Sequence, residues 1–239
     1  MSTDRYRRQI LVKEFGIASQ ETLSKKHAVL IGAGGLGSHS ANLLVRMGIG
    51  SIDIIDNDLV DITNLHRTSL FTEQDIGKAK AIVLQEKLRE INREVQIIGI
   101  KRVVIEENID SLVRGAHVIV DGTDSLPLRF LINHVSIKRA IPWVYAGVYE
   151  TIGMVMGILP GKTPCFQCLA QTIPEVSCEE TPVFGSLPAT IASIQCNETI
   201  KLLLGRKLAG LIIYDVWKQC FETIALNKNP QCSVCSMKG

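Results

Sequence analysis

The sequence predicts an α/β fold: a Rossmann-like doubly wound, mostly parallel sheet with a C-terminal antiparallel β extension and a zinc site. Three observations predict it. A short apolar run, His27 to Ile31, meets the glycine cluster Gly32-Ala-Gly-Gly-Leu-Gly37, and a helical pattern follows to about Met47. Strand-like and helical segments then alternate to about Ala140. After Ile141 the chain turns rich in β-branched residues and glycine, and two C-x-x-C pairs appear. Strand, glycine turn, helix and strand make a βαβ unit, which brings parallel pairing and a right-handed crossover.

The elements follow in order. Residues 5–26 form a helical lead-in. Gly48 and Gly50 stop the helix after the glycine turn, and Ser51 to Ile55 is a second strand ending at Asp56. The spacing predicts a helix over Ile76–Ile91, a strand over Gln96–Val104 and another over His117–Val120. Pro127 suits the first turn of a helix running toward Ala140. Trp143 to Leu159 predicts paired antiparallel strands, Ala189 to Leu204 a helix and Leu211 to Leu226 a hairpin. We read residues 1–239 as a single domain in two parts, 1–140 and 141–239.

Composition bounds the chemistry. The 239 residues are 46% hydrophobic and 21% charged, ordinary for a globular enzyme. A net charge of +2 is too small to argue for nucleic acid or a membrane surface, so any basic site must be local. No apolar run reaches the roughly 18 residues of a spanning helix. Met1 to Arg8 lacks a signal peptide's apolar core, so a cytoplasmic location is expected.

The glycine turn is the first candidate site. Gly32, Gly34 and Gly37 match G-x-G-x-x-G between a strand and a helix, where bare backbone and the helix N-terminus cradle phosphates. Asp56, 19 residues past Gly37, ends the second strand, where a carboxylate accepts hydrogen bonds from ribose. This motif fits NAD and ATP equally. Gly161-Lys162-Thr163 is a decoy, because a phosphate loop needs glycine where Met156 stands. Adenylylation, unlike hydride transfer, needs cations around a triphosphate. Asn64, Arg67 and Lys80 follow the second strand, and Asp124 follows the strand after them. Ligands of open α/β sheets bind at the carboxyl ends of strands, so these residues are placed to surround one nucleotide. Each has a plainer reading: Lys80 as a solvated helix residue, Asp124 as a helix cap.

Six segments carry a family resemblance: Arg5-Tyr-Arg-Arg-Gln-Ile10, Gly32-Ala-Gly-Gly-Leu-Gly37, Asp56-Asn-Asp58, Asn64-Leu-His-Arg67, Ile76-Gly-Lys-Ala-Lys80 and Asp121-Gly-Thr-Asp124. Their order resembles the MoeB/ThiF/HesA family, related to ubiquitin-activating enzymes. The resemblance implies ATP-dependent adenylylation of the C-terminal Gly-Gly carboxylate of a small ubiquitin-like sulfur-carrier protein. It implies that Gly34, Gly35, Asp56, Asp58, Asn64, Arg67 and Lys80 hold the nucleotide and that Asp124 helps place Mg²⁺. It further implies that Arg8 reaches the neighbouring subunit's site in a homodimer. Thr68 departs from the glutamine the family often has there.

The cysteines complete the reading. Cys165-Phe-Gln-Cys168 and Cys232-Ser-Val-Cys235 offer four thiolates for one structural Zn²⁺ and would staple the C-terminus to the earlier loop. Cys178 lies in Pro174-Glu-Val-Ser-Cys-Glu-Glu-Thr-Pro182, near where the family places a cysteine on the segment crossing the carrier tail. Glu179 and Glu180 beside it disfavour a thiolate, so Cys178 is the weakest of the catalytic candidates. With no sulfurtransferase-like segment among the 239 residues, a separate protein is expected to bring the persulfide. Three alternatives stand beside this reading: a tRNA-modifying ThiF-like enzyme, an NAD-linked Rossmann oxidoreductase, and a degenerate binding protein that keeps the fold.

Overall fold

A computed structural model describes residues 4–171 and 182–236. Two short helices lead in, α1 (Arg7–Ile10) and α2 (Gly16–Leu23). There follow β1 (His27–Ile31), α3 (Gly35–Met47), β2 (Ser51–Ile55), α4 (Lys80–Ile91) and β3 (Gln96–Ile100). Next come α5 (Glu106–Leu112), β4 (Val118–Asp121), α6 (Leu126–Arg139), β5 (Trp143–Tyr149) and β6 (Ile152–Ile158). Last are α7 (Phe166–Ala170), α8 (Leu187–Leu203), β7 (Leu211–Asp215) and β8 (Cys220–Ile224).

These strands share one sheet in the order β3-β2-β1-β4-β5-β6-β7-β8. Pairing is parallel from β3 to β5 and antiparallel from β5 to β8. The sheet runs without a break across residue 141, because β4 pairs with β5. Successive side chains of a strand point to opposite faces. Ala28 and Leu30 of β1 therefore join one core with Leu44 of α3, Leu84 of α4 and Ile191 of α8. Val29 and Ile31 join the other core with Ile109 of α5, Ile132 of α6 and Phe166 of α7. Both faces being covered, β1 and β4 are buried almost throughout and read in sequence as unbroken apolar runs.

Three boundaries differ from the sequence expectation. The helix expected from Ile76 begins at Lys80. Before it, Gly77 N–H and Lys78 C=O bond to Val60, and Lys80 N–H bonds to Asp58 C=O. That short antiparallel pairing uses the backbone groups a helix would need, and it sets Lys80 as the first helical residue. The strand expected to Val104 stops at Ile100, where its partner β2 runs out at Ile55. Between the expected strands ending at Leu159 and the helix expected from Ala189, Phe166–Ala170 closes a short helix that starts after Cys165 and contains Cys168.

Strand order reverses at β1, since β2 lies on one side of it and β4 on the other. A crevice opens at such a switch point, outside the carboxyl ends of the strands. Among the described residues, no helix is long and apolar enough to cross a membrane.

Candidate active site and metal centre

The crevice is built by two glycine turns that stack on each other. Gly32 ends β1 with φ +95, a conformation that favours glycine. A Cβ on Gly32 would lie 2.4 Å from the Gly122 carbonyl carbon, in the turn after β4. A Cβ on Gly37 would lie 1.9 Å from Gly32 O. Only hydrogen atoms at these positions let α3 start hard against β1, with its N-terminus open to the crevice. Gly35 is the first residue of α3, packed between Pro188 and the Arg67 side chain.

Asp56 sits just past β2 and braces this turn. Its Oδ2 accepts from Ala33 N at 2.6 Å and its Oδ1 from Asp58 N at 2.7 Å. Burial raises its pKa, while those two N–H groups and nearby Lys80 pull it back down. Lys80 is buried and its Nζ pairs with Asp58 Oδ2 at 3.0 Å. The start of α4 thus delivers an ammonium group beside the two aspartates. Arg67 donates from Nη1 to Thr63 O at 2.6 Å, and Asn64 Oδ1 accepts from Asp61 N at 3.2 Å. These bonds hold a single 3₁₀ turn, Ile62–Asn64, against the crevice mouth.

Across the crevice, Ser125 caps α6 by accepting from Leu128 N, and Pro127 lies in the first turn. Asp124 is therefore not the cap; it stands exposed at the crevice. Behind it lies a buried pair that the sequence reading did not single out. Arg129 Nε meets Asp121 Oδ2 at 3.2 Å, and its guanidinium also donates to Thr123 O at 2.5 Å and Ala146 O at 3.1 Å. The guanidinium lies 5.2 Å from the centre of the Tyr145 ring. Burial pushes Asp121 up to about 6 against the pull of Arg129. Gln195 of α8 adds donors to Asp121 O and Val144 O, and its own Oε1 accepts from Ser40. This network binds the ends of β4 and β5 to one another and fixes the turn that carries Asp124.

The result is a cavity of about 810 Å³, within the ~300–1,000 Å³ usual for ligand sites. Its lining includes a polar, glycine-walled group, Gly34, Gly35, Asp56, Arg67, Lys80 and Asp124, with Pro188 packed at Gly35. It also includes an apolar group, Tyr145, Gly147, Met154, Phe166 and Val183.

The four cysteines form a separate cluster. Cys165 Sγ lies 4.0 Å from Cys168 Sγ and 3.7 Å from Cys232 Sγ, and Cys168 Sγ lies 3.6 Å from Cys235 Sγ. All four sulfurs are within 4.8 Å of one another. Zinc–sulfur bonds of about 2.3 Å in a tetrahedron require sulfur–sulfur edges of about 3.8 Å, so the set fits a zinc ion. Burial raises Cys165; burial also pushes Cys232 up, but the N–H groups of Cys235 and Val234 together with the Cys235 and Cys165 thiols bring it down to about 7. Such N–H donors stabilise thiolates, the form a metal binds.

Comparison with known proteins agrees with this geometry. The ThiF family model matches residues 6–234. The chain belongs to the ThiF family. The sulfur carrier protein ThiS adenylyltransferase of Bacillus subtilis is 35% identical over 243 residues, covering 99% of this chain and 72% of that protein. The sulfur carrier protein adenylyltransferase of Thermus thermophilus is also 35% identical, covering 97% and 90%. A crystal structure of E. coli MccB with ATP superposes with a TM-score of 0.86 at 26% identity, covering 98% of this chain and 75% of that one.

Within this ThiF-family fold, eight residues singled out in the sequence share the cavity: Gly34, Gly35, Asp56, Asp58, Asn64, Arg67, Lys80 and Asp124. Arg8 does not; it is exposed on α1. The four cysteines meet one another instead of the cavity polar groups. Cys178 lies outside the described residues. Gly161-Lys162-Thr163 forms a tight turn after β6, with Thr163 Oγ1 accepting from Leu159 N. Arg129 and Gln195 had a sequence signal that went unused: a polar side chain inside an apolar stretch of helix.

Proposed function

We propose that this chain is an adenylyltransferase that activates the C-terminal carboxylate of a small ubiquitin-like sulfur-carrier protein ending in Gly-Gly. The observation that carries the reading is one cavity whose lining combines a cationic, glycine-walled group with an apolar group. ATP lies at the first, with its phosphates on the Gly34–Gly35 backbone and its ribose at Asp56. Lys80, Arg67 and Asn64 face the triphosphate, and Asp58 orients Lys80. Asp124 would hold Mg²⁺, which when bound would supply charge neutralisation on the phosphate oxygens. The carrier tail enters along the apolar lining of Tyr145, Gly147 and Met154.

The tail carboxylate oxygen attacks the α-phosphorus. A new oxygen–phosphorus bond forms, the bond to the bridging oxygen breaks, and pyrophosphate leaves. The chain contributes position and opposite charge, worth several kcal/mol when aimed at developing charge in a dry site. The acyl-adenylate is then open to a persulfide from a separate donor protein, giving the thiocarboxylate. Arg8, exposed on α1, reaches the site of a second copy in a homodimer. Cys165 and Cys168 from one segment and Cys232 and Cys235 from another would hold structural Zn²⁺. A hydride-transfer reading would leave Arg67, Lys80 and Asp124 without a task at this site.

The test is ATP–pyrophosphate exchange with and without Gly-Gly carriers. Exchange that depends on such a carrier and disappears in Asp124→Ala supports the reading. ATP binding with no exchange for any Gly-Gly carrier overturns it in favour of a tRNA-directed or degenerate member.

A further inference from the structure

Asn133 is almost fully buried on α6, at 1% exposure. Its Oδ1 accepts from the Phe166 N–H at 2.9 Å, the backbone group next to Cys165. Its Nδ2 completes no hydrogen bond, although its amide lies at the cysteine turn. A buried amide N–H without an acceptor is costly, and a neutral thiol is a poor acceptor. A metal-bound thiolate carries negative charge and accepts well, as the outer partners of metal ligands generally exploit.

Phe166 stands on both sides of this contact. Its backbone belongs to the C-x-x-C turn, while its ring packs against Phe130 at 5.3 Å, Trp143 at 5.6 Å and Tyr145 at 5.0 Å. Phe130, Tyr145 and Phe166 all line the cavity. One turn earlier on α6, Arg129 grips the other side of the same wall at Ala146 O and Tyr145.

We infer that Asn133 is a positioning residue that joins the cysteine cluster to the acceptor wall of the cavity, so that metal loading sets where the Phe166 ring stands. The inference rests on the zinc assignment above. It makes the metal a determinant of the tail-binding lining and leaves the phosphate-binding lining alone.

The chain has two tryptophans, Trp143 and Trp217. In a Trp217→Phe background the emission of Trp143 reports on the Phe166 ring without any catalysis. The experiment loads and strips zinc in this parent and in three variants, following zinc release to a chromophoric chelator and Trp143 emission. Asn133→Asp keeps the acceptor for Phe166 N–H and replaces the donor by negative charge; zinc release should quicken by about 10–100-fold. Asn133→Ser, a smaller change, should move the same way. Phe166→Leu should hold zinc as the parent does and lose the emission response. Parent-like zinc release in both Asn133 variants would overturn the role of Asn133. Zinc loading that leaves Trp143 emission unmoved in the parent would overturn the coupling. A parent that binds no zinc would overturn the metal assignment itself, and the inference with it.

Discussion

The two ends of the sheet build their sites in opposite ways. In the parallel part, β3 to β5, each strand ends in a loop whose neighbours in sequence are neighbours in the crevice. Asp56 to Asp58 and Asp121 to Asp124 are each closed by a local hydrogen bond, and Asp56 also accepts from Ala33 in the glycine turn. In the antiparallel part, β5 to β8, the cluster comes from segments far apart in the chain, since Cys165 meets Cys232 across 67 residues. A local turn is specified by which few residues tolerate its geometry. A distant pairing is specified by the whole sheet between its halves. The difference teaches that the phosphate-binding lining should be damaged by single substitutions close to it, and the tail-binding lining by substitutions well away from it.

The largest expected effect lies where the two parts meet. Arg129→Met leaves Asp121 buried and unpaired, which should lower unfolding free energy by about 3–5 kcal/mol in a denaturant titration. If Arg129→Met were as stable as the parent, the join between β4 and β5 would not depend on this pair. Next comes the phosphate-binding lining. Asp124→Ala should reduce carrier-dependent exchange by about 10²–10³, the usual cost of losing one charge-stabilising group. Cys235→Ser should abolish zinc binding and lower the melting temperature, yet leave ATP affinity at the parent value by calorimetry. Equal loss of ATP binding in both variants would break the comparison. Gly37→Ala is a local test. Its methyl would collide with Gly32 O, and the shift of α3 should cost about 1–3 kcal/mol and weaken ATP binding, with zinc content unchanged.

The smallest effect is at the N-terminal end of β1, away from the crevice. His27 Nε2 pairs with Asp53 Oδ2 at 3.1 Å, and this hydrogen bond raises the His27 pKa against the opposing effect of burial. His117 Nδ1 accepts from His27 N nearby, and burial and Lys26 lower the His117 pKa. Because the folded pKa of His27 is raised, its contribution is fully present below the unfolded value near 6.5 and is lost as pH rises through the folded one. The pair is partly solvated, so the expected fall is under about 1 kcal/mol. Asp53→Asn should flatten the stability–pH curve over that window without changing ATP affinity.

Much of the candidate site was legible because its signals are short. Glycine where backbone must approach backbone, and acids at the ends of apolar runs, need no knowledge of distant chain. Lys80 was found by its motif, but its helix was expected to start at Ile76, too early by about one turn. The pairing of Val60 with Gly77 and Lys78 that delays the helix is a contact between two loops, which periodicity cannot register. Asp124 was a possible helix cap in sequence; the hydrogen bond from Leu128 to Ser125 frees it for the crevice.

The sequence by itself determined the βαβ start, the alternation of strands and helices, the glycine turn and the two cysteine pairs. Each depends on the side chains of a few adjacent residues. Tertiary structure alone decided that Arg129 would neutralise Asp121 and that Gln195 would tie β4 to β5. It also decided that Asn133 would touch the cysteine turn from another helix. Those are polar groups removed from water, and burial makes a polar group stable only once a partner from elsewhere in the chain arrives to satisfy it.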